Sequence, residues 1–146
     1  MKVIVQRVKQ ASVSVNQNII SQIKKGYVLL VGFKKEDSLK EVEYVARKIA
    51  NLRIFSDNNN KLNLSIKQVN GEILSISQFT VYGDVNKSNR PSFTESMNFQ
   101  DAKKLYLEFN RILRDRYQIE VFEGIFGEEM VVSLKNDGPV TIIVEK

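Results

Sequence analysis

Ser77, Gln78 and Thr80 set three hydrogen-bonding side chains within one short stretch, at the end of the apolar run Ile73-Leu74-Ser75-Ile76 and just before Tyr82-Gly83. Polar groups at a strand end stand where a site can form, because the strand fixes them while the following loop leaves one side open. A threonine hydroxyl can attack an ester if a base activates it. The usual base is missing. The 146 residues contain no histidine and no cysteine, so a Ser-His-Asp triad, a Cys-His pair, an HExxH zinc site and any disulfide are excluded. Chemistry here must use hydroxyls, amides, carboxylates, lysine, arginine and backbone groups, or groups that the substrate brings, and no metal or cofactor is expected. The residues alone leave a plainer reading open, in which Ser77 and Thr80 bond neighbouring backbone and Gln78 faces water.

A second stretch, Asn136-Asp137-Gly138-Pro139, interrupts an otherwise strand-like apolar tail. Pro139 has no amide hydrogen for a sheet ladder and Gly138 weakens a strand interior, so the pair argues against an ordinary central strand. Its plain alternative is a turn in which Asn136 and Asp137 bond their own backbone.

The elements that position these stretches follow from periodicity. VIVQRV and ASVSV alternate, and Asn16-Gln17-Asn18 reads as the turn of an N-terminal hairpin. YVLLVGF, residues 27–33, is an apolar run of strand length that should be buried on both faces. Leu39, Val42, Val45, Ala46 and Ile49 predict a helix over 38–50, with Ser38 and Glu41 in capping-box form. Asn70-Gly71 precedes EILSISQFTVYG, which reads as a hairpin arm, and a long loop follows from 83 to 93. Phe99, Ala102, Leu105, Tyr106, Phe109, Ile112 and Leu113 predict a second helix over 99–116 capped by Asn98. Strands return with IEVFEG, MVVSL and VTIIVE.

This order is that of one α+β domain over residues 1–146, a mostly antiparallel sheet with two main helices. So many strands and so few helices leave an apolar face that a homodimer would cover. Twenty-two Lys and Arg against 17 Asp and Glu give a formal charge of +5, which favours an anionic partner. No apolar run of about 18 residues and no signal-peptide pattern occur, so a cytoplasmic protein without a membrane partner is expected.

SQFTVYGD at 77–84, NRPSF at 89–93, EGIFGEEM at 123–130 and NDGPVT at 136–141, with the opening MKVIVQRV and the strand YVLLVGF, resemble the D-aminoacyl-tRNA deacylases, also called D-tyrosyl-tRNA deacylases. The similarity covers essentially the whole chain. It implies a cytosolic homodimer, barrel-like in its sheets, that hydrolyses the ester joining a D-amino acid to the 3′-terminal adenosine of tRNA. It also implies activity on glycyl-tRNA mischarged on alanine tRNA. Ser77, Gln78, Phe79 and Thr80 would form the catalytic segment. Gly138 and Pro139 would be the family's Gly-cisPro element, reaching into the partner's site to exclude L side chains by clash.

Asn136 and Arg7 would support substrate binding beside that element, Arg7 by bonding loop carbonyls; an exposed strand charge is its alternative. Phe126 and Met130 would flank the terminal adenosine, with strand core as their alternative. Glu128 departs from the family's FGAxM form, where alanine is common. Two mechanisms stay open, attack by Thr80, or backbone amides near Phe79 and Thr80 acting as an oxyanion hole with help from the RNA 2′-hydroxyl. Lys24, Lys25, Lys34, Lys35, Lys87 and Arg90 are candidate phosphate contacts or simply solvated charges. The competing class is an RNA-binding module that breaks no bond.

Overall fold

Alternating residues make the first strand, β1 (Lys2–Val15), in which Val3, Val5, Val8, Ala11, Val13 and Val15 are buried. Asn16 and Gln17 both take positive φ, 48° and 67°, and turn the chain into β2 (Asn18–Ile23). Such a turn matches the right-handed twist of the strands it joins. β3 (Gly26–Gly32) follows, its Tyr27, Val28 and Leu29 fully buried. A computed structural model describes all of residues 1–146.

α1 (Leu39–Ala50) begins where the sequence predicts, with Ser38 accepting from the chain while Glu41 reaches back to the Ser38 N–H at 2.9 Å. Its apolar stripe of Val42, Val45, Ala46 and Ile49 faces the core. β4 (Phe55–Ser56) and β5 (Leu62–Leu64) form a small separate ribbon. β6 (Glu72–Ser77) then pairs parallel with β3, which corrects the expectation of a hairpin arm. The reason is topological: α1 carries the chain back across the sheet, and a parallel neighbour needs such a crossover, whereas Asn70-Gly71 only ends the turn before it. β6 also stops at Ser77, and Phe79–Tyr82 form a 3-10 turn instead of more strand. α2 (Phe99–Asp115) is capped by Asn98, whose side chain accepts from the Asp101 N–H at 3.1 Å.

β7 (Val121–Glu123) pairs parallel with β6, and β8 (Val131–Glu145) runs antiparallel to β1 as one long strand, where two separate strands are expected from sequence. β1 bonds β3 through Lys2–Val8 and β2 through Ala11–Val15, and β8 along its other side. The sheet path β2-β1-β3-β6-β7 curls until Ser21 Oγ of β2 donates to the Glu123 carbonyl of β7 at 2.6 Å, a nearly closed, barrel-like sheet.

Both helices pack on one face of this sheet over a core that includes Val5, Leu29, Ile73, Tyr106 and Phe109. A smaller core of Val8, Val13, Val28, Leu74 and Ile76 lies inside the curl. Tyr106 Oη donates to the Ser75 carbonyl at 2.8 Å, which ties α2 to the strand that ends at Ser77. No helix is long and apolar enough to cross a membrane.

Candidate active site

The end of β6 is held closely enough to act as a fixed platform. Val31 pairs with Ser77, and the Gln78 N–H donates to the Val31 carbonyl at 2.7 Å, so the ladder persists up to the turn. The turn then folds against Gly32. A Cβ there would lie 2.2 Å from Val81 Cγ2 and 2.8 Å from the Gln78 carbonyl oxygen. Only glycine permits this approach. Within the turn, Gln78 Nε2 donates to Thr80 Oγ1 at 2.5 Å, and no side chain caps the turn's first N–H groups. Those of Phe79 and Thr80 therefore point from a turn start without an internal acceptor.

Beside the turn opens a cleft of about 480 Å³. Ser77, Gln78 and Phe79 form one wall, Phe99 and Ala102 of α2 another, and the 126–130 loop the third. Most of its lining is apolar, with few polar groups, the usual composition of a small-ligand site. Phe126 and Met130 both line it from the loop between β7 and β8, and both also pack against the core, Phe126 on the larger cluster and Met130 on the smaller. Phe126 is wedged edge-on against Phe99, with ring centroids 5.1 Å apart, and against Tyr106 at 5.5 Å. Glu128 and Glu129 stand exposed at the rim.

The second stretch lies elsewhere. Gln6 pairs with Thr141 and Val8 with Asn136, so residues 137–140 all bulge opposite the single residue Arg7. Bulges of this kind re-aim a strand at functional edges. Gly138–Pro139 is cis, and Gly138 has φ of 121°, a region that L side chains rarely adopt. Gly138 and Pro139 are exposed and do not line the cleft of their own chain. Asn136, also exposed, sits at the base of the bulge.

Arg7 is buried, contrary to the alternative of an exposed strand charge, because its guanidinium reaches under the bulge. Its Nε donates to the Asp137 carbonyl at 3.1 Å and lies 3.2 Å from the Asp137 carboxylate, while Nη1 donates to the Ile54 carbonyl at 2.5 Å. Two hydrogen bonds and an ion pair from one planar group tie the bulge to the Ile54 backbone with little freedom.

Several contributors escape sequence reading. Gly32, Met97, Phe99 and Glu129 line the cleft. Gly32 alone carried a signal, as a glycine inside an apolar strand, which marks close approach of another backbone.

Comparison with known proteins shows the family. Residues 4–145 match the model of the family described as D-Tyr-tRNA(Tyr) deacylase. The chain belongs to this family. A D-aminoacyl-tRNA deacylase of Clostridium novyi is 52% identical over 145 residues, spanning 99% of this chain and 97% of its own. One from Staphylococcus aureus is 56% identical over 145 residues, spanning 99% of this chain and 95% of its own.

Among solved structures, one described as the c-Myc DNA Unwinding Element Binding Protein superposes with a TM-score of 0.95 at 42% identity, covering 100% of this chain and 99% of its own. A probable eukaryotic D-amino acid tRNA deacylase shares the fold, with a TM-score of 0.83 at 16% identity and coverage of 99% and 98%.

Proposed function

We propose that the cleft hydrolyses the ester of D-aminoacyl-tRNA and that a homodimer completes it, the Gly138–Pro139 bulge of one copy facing the Ser77–Thr80 turn of the other. The chain is a D-aminoacyl-tRNA deacylase, an ester hydrolase, as its family and its relatives support. The observation that carries the mechanism is the Thr80 hydroxyl. Its hydrogen-bond partner is the Gln78 amide, which donates to it, and no carboxylate or amine stands ready to take its proton. A nucleophile needs such a base within reach. On this reading Thr80 is not the nucleophile, and the uncapped N–H groups of Phe79 and Thr80 receive the developing oxyanion instead.

Water adds to the ester carbonyl carbon, the bond from that carbon to the ribose 3′-oxygen breaks, and the departing oxygen takes a proton. Positioning and proton transfer by the neighbouring ribose 2′-hydroxyl suffice for an ester already this reactive. Each oxyanion donor is worth about 2.7–4 kcal/mol, so two account for a large share of the acceleration.

Ser77 and Gln78 bound the reacting end of the cleft, and Phe126 and Met130 hold the terminal adenosine. Arg7 and Asn136 fix the base of the bulge. A backbone wall next to Cα rejects an L side chain by clash and lets a D side chain project outward. Glycine, having no side chain, passes, so glycyl-tRNA mischarged on alanine tRNA is a second substrate. Two features support the dimer. Pro139 stands outside its own cleft, and β8 offers a long edge with no strand beyond it, carrying Val131 and Ile143 at 66% and 64% exposure. Such an edge calls for a partner. We assign this activity to the cytoplasm, where charged tRNA is used.

The name of the 42%-identical structure motivates a second reading, a nucleic-acid binder without catalysis. One assay separates them. Incubation with D-tyrosyl-tRNA and L-tyrosyl-tRNA should release only the D amino acid; bound, intact D-tyrosyl-tRNA would overturn the deacylase reading.

A further inference from the structure

We infer that the exposed pair Phe79 and Phe93 is a stacking platform for the single-stranded nucleotides preceding the terminal adenosine, with Lys87 and Arg90 meeting their phosphates. This rests on the deacylase reading and adds a second RNA-holding site to it. Phe79 is 57% exposed and Phe93 37% exposed, although phenyl rings gain most from burial. Their centroids lie 5.0 Å apart at 69°, an edge-to-face pair on the outside of the molecule.

The pair is built, not frayed. Asp84 and Ser92 exchange backbone hydrogen bonds of 2.8 and 2.9 Å, which close the 84–92 loop back on itself. Ser96 Oγ donates to the Phe79 carbonyl at 3.2 Å, and the Phe93 ring rests on Gly83, where a Cβ would lie 3.0 Å from Cε1. Between residues 85 and 94 the charges are Lys87 and Arg90, both exposed, and neither is in an ion pair.

An exposed aromatic pair, with unpaired cations in the loop that joins its two rings, fits a ligand with π faces and an anionic backbone, which is single-stranded nucleic acid. The position adds direction. Phe79 precedes Thr80 in the turn, so a nucleotide stacked on it lies next to the cleft where the ester reacts.

The test compares kcat/KM on D-tyrosyl-tRNA with that on 3′-O-D-tyrosyl-adenosine, which lacks the preceding nucleotides. Phe93→Ala should lower kcat/KM on the tRNA by about tenfold or more, chiefly through KM, and the loss on the adenosine ester should be at least about fivefold smaller. Phe93→Leu, which fills the same place without a π face, should behave likewise, and Phe93→Tyr should restore the rate. Replacing Lys87 and Arg90 with Gln should flatten the salt dependence of uncharged tRNA binding by a log-log slope of about 1.4.

Equal losses on both substrates, no loss on either, or a changed dimer mass for Phe93→Ala would overturn the platform. If the wild type hydrolyses neither substrate, the deacylase reading fails by itself. Affinity of Phe93→Ala for uncharged tRNA then still decides the platform: weaker binding supports it and equal binding overturns it.

Discussion

The Ser77–Thr80 turn and the Asp137–Val140 bulge are built in opposite ways. The turn borders a concave cleft between β3, α2 and the 126–130 loop through Ser77, Gln78 and Phe79, with Thr80 exposed outside the lining, and is fixed by close packing against Gly32. The bulge is convex, borne on an edge strand with no buried residue, and fixed by one charged side chain from below. Packing makes a floor on which a reaction can be positioned, and polar ties make a wall that protrudes far enough to meet another molecule. The difference fits the proposal that each chain lends a floor to one site and a wall to the other's.

Breaking the floor should have the largest effect. Gly32→Val drives a side chain into Val81 and the Gln78 carbonyl, and a displacement of about 1 Å in a reacting geometry costs roughly 100-fold. Turnover of D-tyrosyl-tRNA should fall by about that factor or more, while thermal unfolding reports a smaller loss of about 1–3 kcal/mol from overpacking.

Breaking the wall should act on selectivity. Arg7→Met removes the bonds to the Asp137 and Ile54 carbonyls and leaves Asp137 without its cation. The expected loss is about 2–4 kcal/mol of stability, together with measurable hydrolysis of L-tyrosyl-tRNA. Arg7→Lys should not restore discrimination, since a lysine cannot reproduce the planar set of donors.

How much of each region is visible in the sequence differs for the same physical reason. Helix signals are local: Ser38 with Glu41, Asn98, and the stripes of α1 and α2 announce elements that form where expected. The parallel pairing of β6, and the continuity of β8 past Pro139, depend on which strand lies alongside, and no short stretch encodes that. Periodicity alone leaves Arg7 open to being an outward strand charge, and it is the family resemblance that points to the loop carbonyls, one of which, that of Asp137, its guanidinium bonds. Phe79 reads as one more apolar residue in a strand run, yet the strand stops at Ser77 and leaves its ring outside.

Sharper and smaller is Thr80→Ala. With the hydroxyl only accepting from Gln78, turnover should stay within about tenfold of wild type, the scale of disturbed positioning and not of a lost nucleophile. Single-turnover rates decide this, and a loss of about a thousandfold or more would restore Thr80 as the attacking group.

Smallest is an effect behind the floor. Burial pushes the Tyr106 phenol up to about 12 from 10.0. The neutral phenol is therefore favoured in the folded state. Its contribution is complete below pH 10 and is lost as pH rises from 10 towards 12. Tyr106→Phe should cost about 1 kcal/mol at neutral pH through the lost bond to Ser75, and should show a shallower decline in denaturant midpoint over that alkaline interval.

Mixed dimers test the division between floor and wall most directly. Gly138→Ala places a Cβ 2.8 Å from Val140 Cγ2 and 3.1 Å from Arg7 Nη2 at a φ unsuited to alanine, which should deform the wall and let L-tyrosyl-tRNA be hydrolysed. Mixing this copy with an excess of the Gly32→Val copy pairs each working cleft with an intact wall from its partner. The account predicts that L-tyrosyl-tRNA hydrolysis disappears on mixing while D-tyrosyl-tRNA hydrolysis persists. If L-tyrosyl-tRNA is still cleaved at an undiminished rate by the mixed dimers, the wall acts within its own chain and the account is contradicted.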